Sequence, residues 1–426
     1  MGDSFVLKGN ICHAPAADAL EIHESAFAVC ENGVCRGIFD ELPERFSGLD
    51  VIDCADRLVI PGLVDLHIHA SQYPYRGTGM DCELLEWLER NTFPEEMRFA
   101  DAAYADRAYG MFAETLRKSA TTRAVLFGTI HTDSMLMLAD HMEQSGLVSF
   151  VGKVNMDRNA PPELTEASAE RSAADTRRFI EACAARGYLR TRPIVTPRFV
   201  PTCTDELLGM LGEVRREYGL PVQSHLSENP DEVQWVKELC PWAAFYGDVY
   251  DRFDLFGKAG NTVMAHCVYS TPEEIQRLKD NGVWVAHCPS SNMNIASGIA
   301  PVRRYLQAGL RIGLGSDVAG GTCESMFRAV TDAIQVSKLY WRYLDRDAKP
   351  LTFPEAFHMA TRGGGAFFGN VGSFEDGCAF DAVVLDDSVE PFPHRMSVRD
   401  RLERAFYLGI DRTGIVMKFA EGRQVL

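Results

Sequence analysis

A chain of 426 residues with 46% hydrophobic and 24% charged residues has the balance of a folded globular protein and enough length for a large core. That excludes a disordered, collagen-like or coiled-coil chain. Its 43 Lys plus Arg against 60 Asp plus Glu give a formal net charge of -17, so nucleic-acid polymers and anionic membrane surfaces are poor partners.

In chain order, Met1-Gly2-Asp3-Ser4 lacks a hydrophobic signal core, and no apolar run approaches the roughly 18 to 20 residues of a bilayer span; a cytoplasmic protein is expected. Its 12 cysteines form no C-x-x-C pair and read as reduced packing thiols. Glu31-Asn32-Gly33-Val34 predicts a tight β-hairpin near the start. From there β-branched runs alternate with amphipathic stretches, with strands expected over 63–70, 122–130, 149–156, 193–200, 221–226, 262–268, 283–288 and 311–315. Eight such units predict an α/β fold, a (β/α)8 TIM-like barrel, in which reactive groups project from the C-terminal ends of the strands. The segments 72–100, 161–165 and 251–260 read as strand-to-helix loops that build a pocket. Further strands are expected over 380–385 and 414–419. The expected organisation is a small β-sandwich-like domain from residues 1–60 and 370–426 beside a barrel over 61–369.

The polar residues closing these runs carry the chemistry. His67-Ile68-His69 lies within the first barrel strand, and the period of two aims both imidazoles to one side, half of a metal site. His225 closes 221–225, His266 closes 263–266 and Asp317 closes 313–317, each after a run with nothing else ionisable. One such histidine is ordinarily a satisfied core residue. Four histidines and an aspartate, each costing several kcal/mol to bury without a partner, point to a shared metal. Nitrogen and oxygen ligands without thiolate suit Zn²⁺ or Fe²⁺ and leave a position for a hydrolytic water. Glu228, three residues beyond His225, is placed for general acid/base work. Lys153, on the third strand rather than the fourth, reads as structural, so one metal per chain is expected rather than a lysine-bridged pair. His287 reads as structural or as supporting the ligands, and Trp87 as packing or pocket wall. His141-Met142-Glu143 lacks a following P-C-x-x-C, which sets aside a cytidine-deaminase type of zinc site.

Most of the chain resembles the amidohydrolase superfamily, in its mononuclear deaminase branch. The resemblance runs through Pro61-Gly62-Leu63-Val64-Asp65-Leu66-His67-Ile68-His69-Ala70-Ser71-Gln72, Leu84-Leu85-Glu86-Trp87-Leu88, Thr92-Phe93-Pro94, Ile130-His131-Thr132-Asp133-Ser134, Thr196-Pro197-Arg198-Phe199, Gln223-Ser224-His225-Leu226-Ser227-Glu228, Ala286-His287-Cys288-Pro289 and Gly315-Ser316-Asp317-Val318-Ala319-Gly320-Gly321. H-x-H and the final aspartate mark only the superfamily; Gln72, 84–88 and Arg198-Phe199 point to its guanine-deaminating members. The resemblance implies that His67, His69, His225 and Asp317 hold zinc. His266 is then either a further ligand or a hydrogen-bond partner of the hydrolytic water, and Glu228, His266 and Asp317 carry the proton transfers. It implies that Gln72, Arg198 and Phe199 hold the purine beside His69, His225, Glu228 and Asp317, and that guanine is hydrolysed to xanthine and ammonia by a homodimer. The physical chemistry agrees: an Arg fork suits the O6/N7 acceptor edge of guanine, and a Gln amide offers both a donor and an acceptor. The alternatives are a zinc deaminase of another aminated heterocycle (a modified purine, a pterin or a triazine) and, more remotely, a non-catalytic assembly protein on the same barrel.

Overall fold

The computed structural model describes residues 3–258 and 260–426; Met1, Gly2 and Ala259, on which the readings of the chain start and of 251–260 partly fall, lie outside the described residues. Strands β1 (Phe5–His13), β2 (Glu21–Glu31), β3 (Val34–Phe39) and β4 (Val51–Pro61) come first. β2 and β3 pair as a hairpin with Glu31 opposite Val34, and Asn32 and Gly33 take φ of 54° and 76°, the left-handed geometry that an Asn-Gly turn supplies.

Directly after β4 the chain enters the parallel strands β5 (Leu63–His69), β6 (Thr121–Phe127), β7 (Val148–Gly152), β8 (Val154–Asn155), β9 (Thr191–Pro193), β10 (Thr196–Pro197), β11 (Val222–Leu226), β12 (Thr262–His266), β13 (Trp284–His287) and β14 (Arg311–Leu314). They run in the order β5-β6-β7-β9 and β11-β12-β13-β14, with β10 beside β8. A parallel bridge between Val195 and Val222 joins the two halves. The cylinder closes where Asp317 N–H donates to the His67 carbonyl at 2.8 Å and His69 N–H to the Val318 carbonyl at 3.0 Å. This is the expected (β/α)8 TIM-like barrel. Two expected strands are broken in the middle: Lys153 interrupts the third, and Pro193 and Pro197, which cannot donate to a ladder, divide the fourth. Gly315 is required at the closure, since a Cβ there would meet His67 Cβ and Cys288 Sγ, each at 2.8 Å.

The remaining strands, β15 (Ala382–Leu385), β16 (Ile415–Ala420) and β17 (Arg423–Gln424), complete a seven-stranded sheet in the order β17-β16-β15-β4-β1-β2-β3. Phe5 anchors its core, 4.8 Å from the Phe419 ring and 5.4 Å from Phe380. Arg123 on β6 binds Asp381 through two hydrogen bonds of 2.7 and 3.1 Å, both side chains buried. Lys418 on β16 donates to the carbonyls of Leu116, Ser119 and Thr121 at 3.1, 2.8 and 2.9 Å. Among the described residues no helix is long and apolar enough to cross a membrane. Eleven of the cysteines are buried and all are free thiols; Cys323 is half-buried.

Two loop expectations are corrected. Segment 251–260 starts inside the helix Tyr246–Arg252 and leads into β12, so it is a helix-to-strand connection at the end of the barrel away from the ligand-bearing strand ends. Its Asp, Gly and Lys composition is the same on either side of a strand. Segment 72–100 is mostly helical: α1 (Leu84–Trp87), a π-turn over Leu88–Thr92 and α2 (Phe93–Glu96), followed by a single 3-10 turn over Met97–Ala100. Pro74, Pro94 and the π-turn break the 3.6-residue period by which a helix is read. The next helix, α3 (Ala102–Lys118), starts on Asp101, whose side chain accepts from Ala103 and Tyr104 N–H, and buries Ala105, Tyr109, Phe112 and Leu116 on one stripe.

Candidate active site

The expected residues meet at the C-terminal mouth of the barrel. β5 aims His67 and His69 inward, β11 delivers His225, β12 ends in His266 and the turn after β14 carries Asp317. Ser227, His266 and Asp317 have φ of 47°, 73° and 49°, left-handed backbone that non-glycine residues adopt at a cost of about 1–3 kcal/mol each and that turns these strand ends over the mouth. Asp65, two residues before His67, accepts from the backbone N–H of His67 at 3.1 Å and of Ser316 at 3.0 Å, locking β5 to the turn that presents Asp317. Burial pushes its carboxyl up to about 7.

His69 Nε2 lies 3.2 Å from His225 Nε2 and 3.5 Å from Asp317 Oδ1, and His67 Nε2 lies 3.2 Å from the same oxygen. Metal–nitrogen bonds of about 2.0–2.1 Å in a tetrahedral site imply ligand separations of about 3.3 Å. The proton inventory agrees with a cation here. His225 donates Nδ1–H to the Arg198 carbonyl at 2.6 Å, so its Nε2 presents a lone pair to His69. His266 Nδ1 is held by Asn292 Oδ1 at 2.9 Å, so its Nε2 turns a lone pair toward Glu228 Oε2 at 3.3 Å and Asp317 Oδ2 at 3.7 Å. Among the described residues His67 Nε2 has no partner with hydrogen-bond geometry, although Asp317 Oδ1 is near. Lone pairs facing lone pairs in a dry pocket are repulsive until a cation sits among them. Burial holds His67, His69 and His225 well below the usual imidazole pKa, the neutral form a metal ligand needs. Cys288 adjoins His67, His266 and Asp317, but burial lifts its thiol far above the usual range, which leaves a nitrogen and oxygen donor set.

Beside this cluster opens a cavity of about 390 Å³ lined by Leu84, Trp87, Leu88, Phe199 and Ile295 on its apolar side and by Gln72, Arg198 and Glu228 on its polar side. Ser297 donates to Glu228 Oε1 at 3.0 Å; burial first, then the Asp317 charge, pushes this carboxyl up to about 8. Arg198 is buried and bonds Glu96 Oε2 at 2.6 Å, and Gln72 Nε2 bonds Glu96 Oε1 at 3.2 Å while its Oε1 accepts the Ala319 N–H at 3.0 Å. His287 and Lys153 lie outside this cavity: His287 is buried with both ring nitrogens unpartnered and its pKa pulled down to about 3 by burial, and Lys153 pairs with Glu166 at 2.6 Å. Sequence reasoning missed Asp65, Glu96, Asn292 and Ser297. Only Glu96 left a signal, a carboxylate close behind Thr92-Phe93-Pro94.

A TIM barrel whose strand ends converge imidazoles and a carboxylate on a pocket with one apolar and one polar side is the architecture of a metal-dependent hydrolase. The amidohydrolase family model matches residues 58–425, and the chain belongs to that family. It is 39% identical to the guanine deaminase of Dictyostelium discoideum, over 96% of this chain and 95% of that protein. It is 40% identical to the human guanine deaminase over 86% of this chain and 82% of that protein. Among solved structures, the guanine deaminase of C. acetobutylicum with guanine bound in its active site superposes with a TM-score of 0.95, at 44% identity, covering 99% of this chain and 100% of that one.

Proposed function

We propose that this chain hydrolyses guanine to xanthine and ammonia with one zinc ion per chain. The observation that carries the reading is the placement of Arg198, Gln72 and Phe199 in one cavity with the histidine and aspartate cluster, the donors for a 6-oxo purine directly beside the groups that handle water. His67, His69, His225 and Asp317 would hold the metal, with His266 completing the set or holding the water. A divalent ion bound there supplies Lewis acidity that makes water a nucleophile at neutral pH.

The protein's own groups do the rest. Arg198 N–H groups and the Gln72 amide grip the O6/N7 edge and set C2 of the ring toward Asp317 and Glu228, with Phe199 against the ring. Asp317 takes a proton from the attacking water as the new C–O bond forms at C2. Glu228 gives a proton to the adjacent ring nitrogen, so negative charge does not build up on the purine. Asp317 then passes the proton it took from water to the amino group, and as the C2–N bond breaks and ammonia leaves, the C2 hydroxyl becomes the carbonyl of xanthine and returns its proton to Glu228. Ser297 and Asn292 hold Glu228 and His266 in register for these transfers. The test is ammonia release from guanine by the purified protein with its metal content measured: turnover with about one zinc per chain supports the reading. Guanine left intact by metal-replete protein would overturn it.

A further inference from the structure

We propose that Glu96 is a positioning residue for purine recognition, acting through Arg198 and Gln72; the proposal rests on the guanine reading above. Glu96 is 1% exposed and splits its carboxylate between the two polar residues of the pocket, Oε2 to Arg198 Nη1 at 2.6 Å and Oε1 to Gln72 Nε2 at 3.2 Å. A long guanidinium has several rotamers, and a short charge-assisted bond removes most of them. Among the described residues the other guanidinium N–H groups of Arg198 have no protein acceptor, so they are left for a ligand. The Glu96 charge also neutralises Arg198, which makes the pocket a donor array for a neutral heterocycle rather than an anion site.

The effect on Gln72 is equally specific. Its Nε2 is spent once on Glu96 and its Oε1 once on Ala319 N–H, which fixes the amide against flipping and leaves one N–H and one lone pair for the ring. Arg198 Cζ also lies 5.4 Å from the ring of Phe93, on the same α2 turn. Glu96 ends α2, behind the π-turn that puts Trp87 and Leu88 against the cavity. One carboxylate thus sets the angle of both donors and ties the helical roof to the end of the fourth barrel strand.

A roof tie alone and a positioning role predict different inhibitor profiles. Hypoxanthine and unsubstituted purine differ by the 6-oxo group and the N1–H of its lactam, so their ratio of inhibition constants against guanine turnover reports the contacts to that edge, the Arg198 contact first among them. In the unaltered enzyme hypoxanthine should bind at least about 10-fold tighter than purine. Glu96→Gln should keep its metal, lose about 10²-fold in kcat/KM for guanine, and bring the ratio to near one, as Arg198→Ala should too. Glu96→Asp, which keeps the charge on a shorter arm, should restore part of the ratio and serves as the second reading if the glutamine variant does not fold. Equal weakening of both inhibitors with the ratio intact would overturn the proposal. No turnover of guanine by the unaltered, metal-replete enzyme would instead remove the reading beneath it.

Discussion

Glu228 and Arg198 illustrate two ways a single side chain makes a site. Glu228 is oriented by Ser297 and faces His266 Nε2, so its proposed task is proton transfer and not shape. Glu228→Gln, nearly isosteric, should retain metal and guanine binding while kcat drops by roughly 10² or more, read by steady-state kinetics beside a binding titration. Near-normal turnover would take Glu228 out of the mechanism. The proposed metal ligands differ: His67→Ala or Asp317→Ala should lose activity together with most of the metal, measured by elemental analysis of the purified variants. At this scale the sequence was most informative where a residue's neighbours are apolar and its strand position sets its direction, as for His67, His69, His225, His266 and Asp317. It said least about Glu96 and Asp65, whose partners are distant in the chain: Glu96 meets Arg198 across 102 residues and Asp65 meets Ser316 across 251. No local pattern encodes such a pair.

Elements set which groups can share a titration. The helix Pro230–Leu239 follows β11 and is capped by a capping box in which Asn229 accepts from the backbone and Glu232 reaches back, taking the N–H of Glu228 at 2.9 Å and of Asn229 at 3.2 Å. Burial, and next the Glu228 carboxylate, pushes Glu232 up to about 7 from an ordinary value of 4.5. A carboxyl raised on folding binds its proton more tightly in the native state, so its contribution is whole below about pH 4.5 and falls away as pH rises through about 7. The stability advantage of the unaltered protein over Glu232→Gln should therefore shrink by a few kcal/mol between pH 4.5 and 8, measured by urea unfolding at each pH; an advantage that grows over that range would contradict the assignment. Elements also show where periodicity misleads. The segment 72–100 does join strand to helix and line the pocket as expected, but in helical form, which its prolines and π-turn hide from the 3.6-residue period.

Across the whole molecule, the alternation of short β-branched runs with amphipathic stretches made the barrel legible, because a parallel strand buried on both faces has few other compositions. The pairing of chain ends in one sheet was suggested by hairpin and strand patterns, whereas the buried contacts joining that sheet to the barrel were not. Arg123–Asp381 is such a contact, and Asp381→Ala would remove both short bonds of a buried guanidinium and leave it only Glu421 Oε1 at 3.5 Å, so it should cost about 3 kcal/mol in unfolding free energy. A loss below about 1 kcal/mol would show that the tie is not structural. The central claim concerns what the assembled pocket reads. Guanine shows an acceptor at C6 where adenine shows a donor; on the proposed binding mode the guanidinium N–H groups of Arg198 not held by Glu96 gain a charge-assisted bond with the first and are left without an acceptor by the second. The most direct measurement is kcat/KM for ammonia release from guanine and from adenine by the metal-replete protein. The account predicts a ratio on the order of 10³ or more in favour of guanine; comparable values for the two purines, or turnover of adenine alone, would contradict it.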